Sequence, residues 1–185
     1  MVEQPLQISM KNKRGRGFWY GFNTTALILS FFFLFLVPLL QAYIDFSHSV
    51  NMSMQQPERG TPFTEMPVRI TLENTSHTPL NAVEFELTYN PKELHITKVI
   101  PLRTLCEDRF VITNSFNNAS GTSLFQCGTI TPFTNATGTI AIIYVMPLIQ
   151  GTTSLGFGST THVLAHDGYG TDATKERNGI TLTSL

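Results

Sequence analysis

The chain has 185 residues, of which 14% are charged and 42% are hydrophobic, with a formal net charge of −1. This length fits one domain of ordinary size, or one domain with an appendage. A net charge near zero argues against a general nucleic-acid binder, because such proteins carry a strong basic excess. Aromatic and β-branched residues are plentiful, which argues against a disordered chain.

The first feature along the chain is a long stretch without charge. Residues 17–44 contain no Asp, Glu, Lys or Arg. Their apolar part, 26–44, would span about 28 Å as a helix, close to the hydrocarbon core of a bilayer. Trp19 and Tyr20 precede this part and Tyr43 lies near its end, as aromatic residues do at membrane interfaces. We therefore expect a transmembrane helix over residues 24–44.

The charges around this stretch predict its orientation. Four basic residues lie within residues 11–16, whereas no Lys or Arg follows the stretch until Arg59. The positive-inside rule then places residues 1–23 in the cytoplasm and the remainder outside the cell, as a single-pass protein of the cell membrane. A cleaved signal peptide is the alternative, although its apolar core of roughly 7–15 residues would be shorter than this one.

The rest of the chain changes character near residue 64. Residues 45–63 are polar with two prolines and no sustained periodicity, which predicts a flexible linker. From residue 64 to 185 apolar and polar residues alternate, as at Val83, Phe85 and Leu87. Nine short strands are predicted, at 66–72, 83–89, 94–100, 109–116, 123–128, 138–146, 153–157, 161–165 and 179–183. This pattern predicts an all-β fold, a nine-stranded β-sandwich with jelly-roll topology that follows the N-terminal transmembrane helix.

Two cysteines and two aspartates of the outer domain are candidate site residues. Outside the cytoplasm Cys106 and Cys127 are candidates for a disulfide, with two free buried thiols as the alternative. Asp167 and Asp172 flank a glycine-rich turn beside His166, where carboxylates serve Ca²⁺ binding, acid–base chemistry or simply the turn itself. The turn is the favoured interpretation. No nucleophile motif and no zinc-ligand spacing is present, so we expect neither an enzyme nor a metal or other cofactor.

The outer domain resembles a cohesin module, a β-sandwich shared with certain carbohydrate-binding modules. The resemblance is strongest over residues 82–99, where a strand ending in Tyr89-Asn90-Pro91 is followed by Leu94 and a second strand. Cohesins repeatedly show Tyr-Asp-Pro there, so Asn90 departs from the pattern. Residues 138–145 resemble the long central strand of the family, and residues 164–182 resemble its closing turn and final strand. Cys106 and Cys127 do not belong to the familiar cellulosomal pattern.

The resemblance implies a binding partner and a binding face. Cohesins recognise dockerin modules through one sheet face, using their third, fifth, sixth and eighth strands. Among the nine predicted strands these are 94–100, 123–128, 138–146 and 161–165. Residues 140, 142 and 144 form an apolar side of the central strand, and exposed apolar patches often mark partner sites. The residues predicted to contact the partner are His95, Thr97, Ile140, Ile142 and Tyr144.

Two other functions stay open at this point. Polysaccharide binding at the cell surface is one alternative. Carbohydrate sites usually present a row of aromatic residues, however, and Trp19 is the only tryptophan of the chain. A structural subunit of the cell envelope is the other alternative. We expect a membrane-anchored, non-catalytic module on the cell surface that binds a protein such as a dockerin.

Overall fold

The computed structural model describes residues 28–37, 49–56, 59–106 and 110–185. The chain divides into two compact units, Met1–Tyr43 and Ile44–Leu185. In the first unit residues 28–37 form a helix. Within the described part of the chain, no helix combines the length and the apolar character that a membrane crossing requires. The predicted span over 24–44 extends on both sides beyond the described helix, and the predicted cytoplasmic segment 1–23 lies outside the described residues.

The second unit consists of β-strands. In chain order they are β1 (Val50–Gln55), β2 (Met66–Glu73), β3 (Leu80–Tyr89), β4 (Leu94–Pro101), β5 (Val111–Asn117), β6 (Thr122–Phe133), β7 (Thr137–Pro147), β8 (Gly151–Phe157), β9 (His162–Ala165), β10 (Thr174–Asn178) and β11 (Ile180–Ser184). The first sheet has the order β10-β1-β2-β7-β4, and the second has the order β11-β8-β3-β6-β5. Strand β3 pairs with β9 along residues 80–84 and with β8 along residues 87–89. The predicted two-sheet sandwich is therefore confirmed.

The described strands number eleven, so the prediction of nine was wrong. Strand β1 lies inside the segment predicted to be a linker, and its Val50, Met52 and Met54 are buried. Strand β10 was also missed, because only Thr174 of its five residues is buried. Apolar and polar residues alternate along β1, whereas β10 has almost no buried face. The two strands pair with each other, and β1 also pairs with β2.

The core lies between the two sheets and contains the inward residues of both. Fully buried side chains alternate with half-buried or exposed ones along β2 and β3, as period-two geometry requires. Phe85 of β3 and Phe125 of β6 stack with ring centroids 4.8 Å apart. All buried hydrophobic residues of this core lie between positions 50 and 182. The unit 44–185 therefore contains the whole described core and has the makeup of an independently folding domain.

Two connections join the sheets near strand β4. Cys106, which follows β4, and Cys127 of β6 form a disulfide with their Cα atoms 5.3 Å apart, and both residues are buried. Asn118, in the turn between β5 and β6, forms hydrogen bonds with the backbone of Ile96 in β4. Since β4 is an edge strand of the first sheet, these contacts attach that edge to the second sheet.

Candidate docking face

Four of the five predicted contact residues lie together on the outer side of the first sheet. His95 and Thr97 belong to β4, Ile142 and Tyr144 belong to β7, and all four are half-buried. Tyr144 pairs with Lys98, and the Thr97 hydroxyl donates to the Tyr144 carbonyl oxygen at 3.3 Å. These four residues therefore share one side of the sheet, and their role in binding a partner stays a prediction.

Ile140 does not belong to this patch, and its prediction as a contact residue was wrong. Its side chain is fully buried, as is that of Ala141 beside it. The register shows why, because Ile70 of β2 pairs with Ala141 whereas Thr71 pairs with Thr139. Ile140 is thus the extra residue of a β-bulge, where simple alternation of faces fails.

The four strands predicted to form one docking face lie in different sheets. Strands β4 and β7 belong to the first sheet. Strand β6 belongs to the second sheet, and β9 pairs with β3 of that same sheet. The strand count explains the error, because β1 was missing and the strands from β2 to β9 were numbered one too low. With β1 included, the third, fifth, sixth and eighth strands are β3, β5, β6 and β8. These four are consecutive in the second sheet, in the order β8-β3-β6-β5.

The outer side of the second sheet carries a groove of about 410 Å³. It lies over β3, β5 and β6, and it is lined by Glu84, Glu86, Ser115, Phe116, Asn117, Thr122, Ser123, Leu124 and Thr160. Leu124 pairs with Glu86 on one side and with Ser115 on the other, so it lies at the centre of this surface. We call this surface the second-sheet groove.

Charge is divided unequally between the two sheets. The strands of the first sheet contain four basic residues, Arg69, Lys98, Lys175 and Arg177, and two acidic ones, Glu73 and Glu176. The described strands of the second sheet, with β9, contain no Lys or Arg and two acidic residues, Glu84 and Glu86. Both glutamates line the second-sheet groove. Sequence reasoning missed them as site residues, although the absence of Lys and Arg from these strand segments was visible in the sequence.

Asp167 is used by the turn that contains it. Its carboxylate accepts hydrogen bonds from the N–H groups of Tyr169 and Gly170, at 2.9 and 3.1 Å, and from the Thr171 hydroxyl. These bonds, the one from Thr171 foremost, lower the pKa of Asp167 below its ordinary value. No group of three or more His, Cys, Asp or Glu suited to a metal ion occurs among the described residues. The turn interpretation of this motif therefore accounts for its carboxylate.

Asp172 forms a pair with a histidine on the second sheet. Its Oδ2 atom lies 2.7 Å from Nδ1 of His162, which is on β9 beside Glu84. Burial raises the pKa of Asp172, but hydrogen bonds from Thr174 and His162 outweigh it and lower the pKa overall. A nucleophilic triad would need a hydroxyl or thiol on the other nitrogen of the imidazole. Within the described ranges, Asp172 is the hydrogen-bond partner of the His162 ring.

Comparison with solved structures identifies the fold. CaCohA2 of Clostridium acetobutylicum, solved in solution, has a TM-score of 0.62 and 19% identity over 74% of this chain and 92% of its own. The same module in a crystal with the dockerin CaDoc0917 gives 0.58 and 20%, over 72% and 99%. The third cohesin of ScaC from Acetivibrio cellulolyticus, in complex with the ScaB dockerin, gives 0.62 and 13%, over 73% and 99%.

Sequence comparison adds no closer relative. No protein-family model matches the chain, and no curated protein matches it. The identities of the structural neighbours lie below the level at which function follows from likeness, so what they establish is the architecture. The sandwich of this protein has the cohesin fold.

Proposed function

We propose that the sandwich is a binding module that docks a dockerin-type protein module on the outer side of its second sheet. One observation carries this proposal: the third, fifth, sixth and eighth strands, which the cohesin resemblance associates with dockerin recognition, are neighbours in that sheet. The second-sheet groove lies over three of these four strands. Two of the structural neighbours are themselves held in complexes with dockerins.

The experiment uses residues 44–185 and a panel of dockerin modules that includes the two from those neighbouring complexes. Titration calorimetry measures affinity for the wild type, Leu124→Asp and Ile142→Asp. Leu124 lies in the second-sheet groove and Ile142 lies on the outer side of the first sheet. The two variants therefore place the same negative charge on the outer faces of different sheets. We expect Leu124→Asp to abolish binding and Ile142→Asp to preserve it.

Two results would contradict this proposal. If no dockerin of the panel binds, dockerin-type modules are not the partner of this domain. Loss of binding in Ile142→Asp with retention in Leu124→Asp would move the docking face to the first sheet, where His95, Thr97 and Tyr144 lie. Amide spectra of both variants establish that each retains the fold.

Polysaccharide binding has less support than dockerin binding. In the described sandwich the exposed aromatic residues are Phe63, Phe116 and Tyr169. Phe63 precedes β2, Phe116 belongs to β5, and Tyr169 lies in the turn between β9 and β10. They therefore form no row on one strand or one loop of the kind that stacks on sugar rings.

We also propose that the chain is held at the cell membrane by its N-terminal segment, with the sandwich outside. The support is the sequence pattern, in which the charge-free residues 17–44 follow a basic segment. Carbonate extraction of membranes from cells expressing the full chain tests this. The chain should remain in the membrane pellet, and external protease should digest the sandwich of intact cells. Release by carbonate would contradict the anchor.

A further inference from the structure

We propose that Asn178 is a site of spontaneous covalent modification, and that the modification loosens the edge strand β10 from the sandwich. Asn178 and Gly179 form the only Asn-Gly pair in the chain. Asn178 is the last residue of β10, and Gly179 joins β10 to β11. The reaction consumes only water, so it does not depend on the docking partner or on the membrane.

The reaction begins at the backbone nitrogen of Gly179. This nitrogen loses its proton and attacks Cγ of Asn178, so that a new C–N bond closes a succinimide ring and the carboxamide nitrogen leaves as ammonia. Water then opens the ring at either of its carbonyl carbons. Opening at the former side-chain carbonyl gives aspartate. Opening at the main-chain carbonyl gives isoaspartate, in which the main chain runs through the former side chain.

Packing requires a glycine at the attacking position. A Cβ atom at Gly179 would lie 2.7 Å from the Leu155 carbonyl oxygen and 3.1 Å from the Gly156 Cα atom. The main chain therefore passes too close to β8 for any side chain at this point. Because glycine carries no Cβ, nothing beside the Gly179 nitrogen hinders its approach to Asn178. The fold thus retains the residue that obstructs this reaction least.

The Asn178 side chain is exposed and free to react. Of the residues that the structure describes, none forms a hydrogen bond with its carboxamide. Ring closure requires the main chain at Asn178 to leave the extended conformation of a strand. This local opening costs little here, because β10 is an edge strand that pairs with β1 alone and Asn178 is its last residue.

Two comparable positions are protected by the fold. Asp167 also precedes a glycine, but its carboxylate accepts hydrogen bonds within its own turn, from the Thr171 hydroxyl foremost. These bonds lower the pKa of Asp167 and keep the carboxylate ionised, and in this state it resists attack by a nitrogen nucleophile. Asn114 of β5 donates from its Nδ2 atom to the Val99 carbonyl oxygen at 3.1 Å. Asn178 combines a following glycine with a carboxamide that no such contact holds.

Isoaspartate at this position weakens the attachment of β10. It adds one carbon atom to the main chain between β10 and β11, where Gly179 lies closely against β8. Strand β10 has little else to hold it, since Thr174 is its only buried residue. Arg177 pairs with Met52 of β1, whose side chain is fully buried. Displacement of β10 therefore uncovers the edge of β1 beside the core.

The first experiment follows the folded domain, residues 44–185, during incubation in warm, mildly alkaline buffer. Peptide mapping by mass spectrometry should show exchange of the amide nitrogen for oxygen at Asn178, and protein isoaspartate methyltransferase should methylate the same peptide. Asn178→Gln should abolish both signals, because glutamine closes the corresponding larger ring far more slowly. Asn135→Gln, at another exposed position, is the matched control and should leave both signals unchanged.

Absence of exchange at Asn178 in the folded domain would overturn the proposed site. The same domain unfolded in urea shows that the incubation was long enough, since its Asn178 should react. Exchange that is no faster at Asn178 than at Asn114 or Asn135 of the folded domain would also overturn it.

Hydrogen exchange, measured before and after incubation, tests the effect on β10. Backbone amides of β10 and β1 should exchange severalfold faster in the modified domain, whereas those of β7, which is not adjacent to either strand, should be unchanged. Asn178→Asp carries the same new charge on a main chain of ordinary length, so its exchange should match that of the unmodified domain. Equal exchange before and after modification, or equally fast exchange in Asn178→Asp, would overturn the loosening by isoaspartate.

Discussion

Asn118 completes the hydrogen bonding of Ile96 from the opposite sheet. Its Oδ1 atom accepts from the Ile96 N–H, and its Nδ2 atom donates to the Ile96 carbonyl oxygen, both at 2.9 Å. The Tyr89 hydroxyl donates to the same Oδ1 atom at 2.7 Å. One amide side chain thus takes the place of a neighbouring strand at the free edge of β4.

Replacing Asn118 should destabilise the sandwich. Asn118→Ala leaves the N–H and carbonyl groups of Ile96 and the Tyr89 hydroxyl without their partner, so we expect a loss of about 2–4 kcal/mol in unfolding free energy. Urea unfolding of residues 44–185 measures it. Asn135→Ala, at an exposed position between β6 and β7, is the matched control and should change stability little. A loss below about 0.5 kcal/mol for Asn118→Ala would contradict the bridging role.

The disulfide should contribute substantially to stability. Cys106 and Cys127 are 21 residues apart, and closing a loop of this size is worth about 3 kcal/mol in the chain-entropy model. The double variant Cys106→Ala with Cys127→Ala should therefore unfold at lower urea. Alkylation of the unreduced domain, followed by mass spectrometry, should find no free thiol. Two alkylated cysteines, or an unchanged midpoint, would refute this contribution.

The central strand offers a direct comparison of two isoleucines. Ile140 is fully buried in the bulge of β7, whereas Ile142 lies on the outer side of the sheet. Ile140→Asp places a carboxylate without a partner in the core, and we expect it to cost more than about 4 kcal/mol and to unfold the domain. Ile142→Asp should remain folded. Circular dichroism during thermal unfolding compares them, and equal stability of the two variants would show that the bulge is misplaced.

Acid should remove the stabilisation that Asp167 gives to its turn. Its pKa is lowered in the folded state, so its contribution is present above the ordinary carboxyl pKa of about 4 and is lost as the pH falls through the folded value. Asp167→Asn should therefore be less stable than the wild type at pH 7, and the difference should shrink towards pH 2. Urea unfolding across this range measures it, with Glu176→Gln on the exposed edge strand as the charge-matched control. A difference that does not depend on pH would contradict the assignment.

Gly121 should tolerate no side chain. Its φ of +70° lies in the left-handed region, and a Cβ atom there would overlap the Tyr89 carbonyl oxygen. Gly121→Ala should cost more than about 2 kcal/mol, because backbone strain and the steric overlap add. Gly168→Ala is the control, since its φ of +79° is similar but nothing lies within 4 Å of its Cβ position. Equal losses for the two variants, measured by urea unfolding, would contradict the steric part.

Local patterns were sufficient for the strongest strands and turns. Alternation at β2, β3 and β7 predicted strands that the structure confirms. Between β3 and β4, Asn90 supports the turn by accepting a hydrogen bond from the Lys92 N–H. Alternation failed where stability comes from distant neighbours. Strand β10 shows a single buried residue and is held by its parallel pairing with β1, which no local pattern reveals.

The sequence by itself determined which side of most strands meets the core, because side chains alternate with period two whatever the strand's neighbours. It also determined that charge is sparse along the segments that became the second sheet. Only the tertiary structure decided which strands are adjacent and where a bulge interrupts the alternation. Pairing depends on hydrogen bonds and packing between residues far apart in the chain, so Glu86, Leu124 and Thr160 became one groove only when the sheet was assembled.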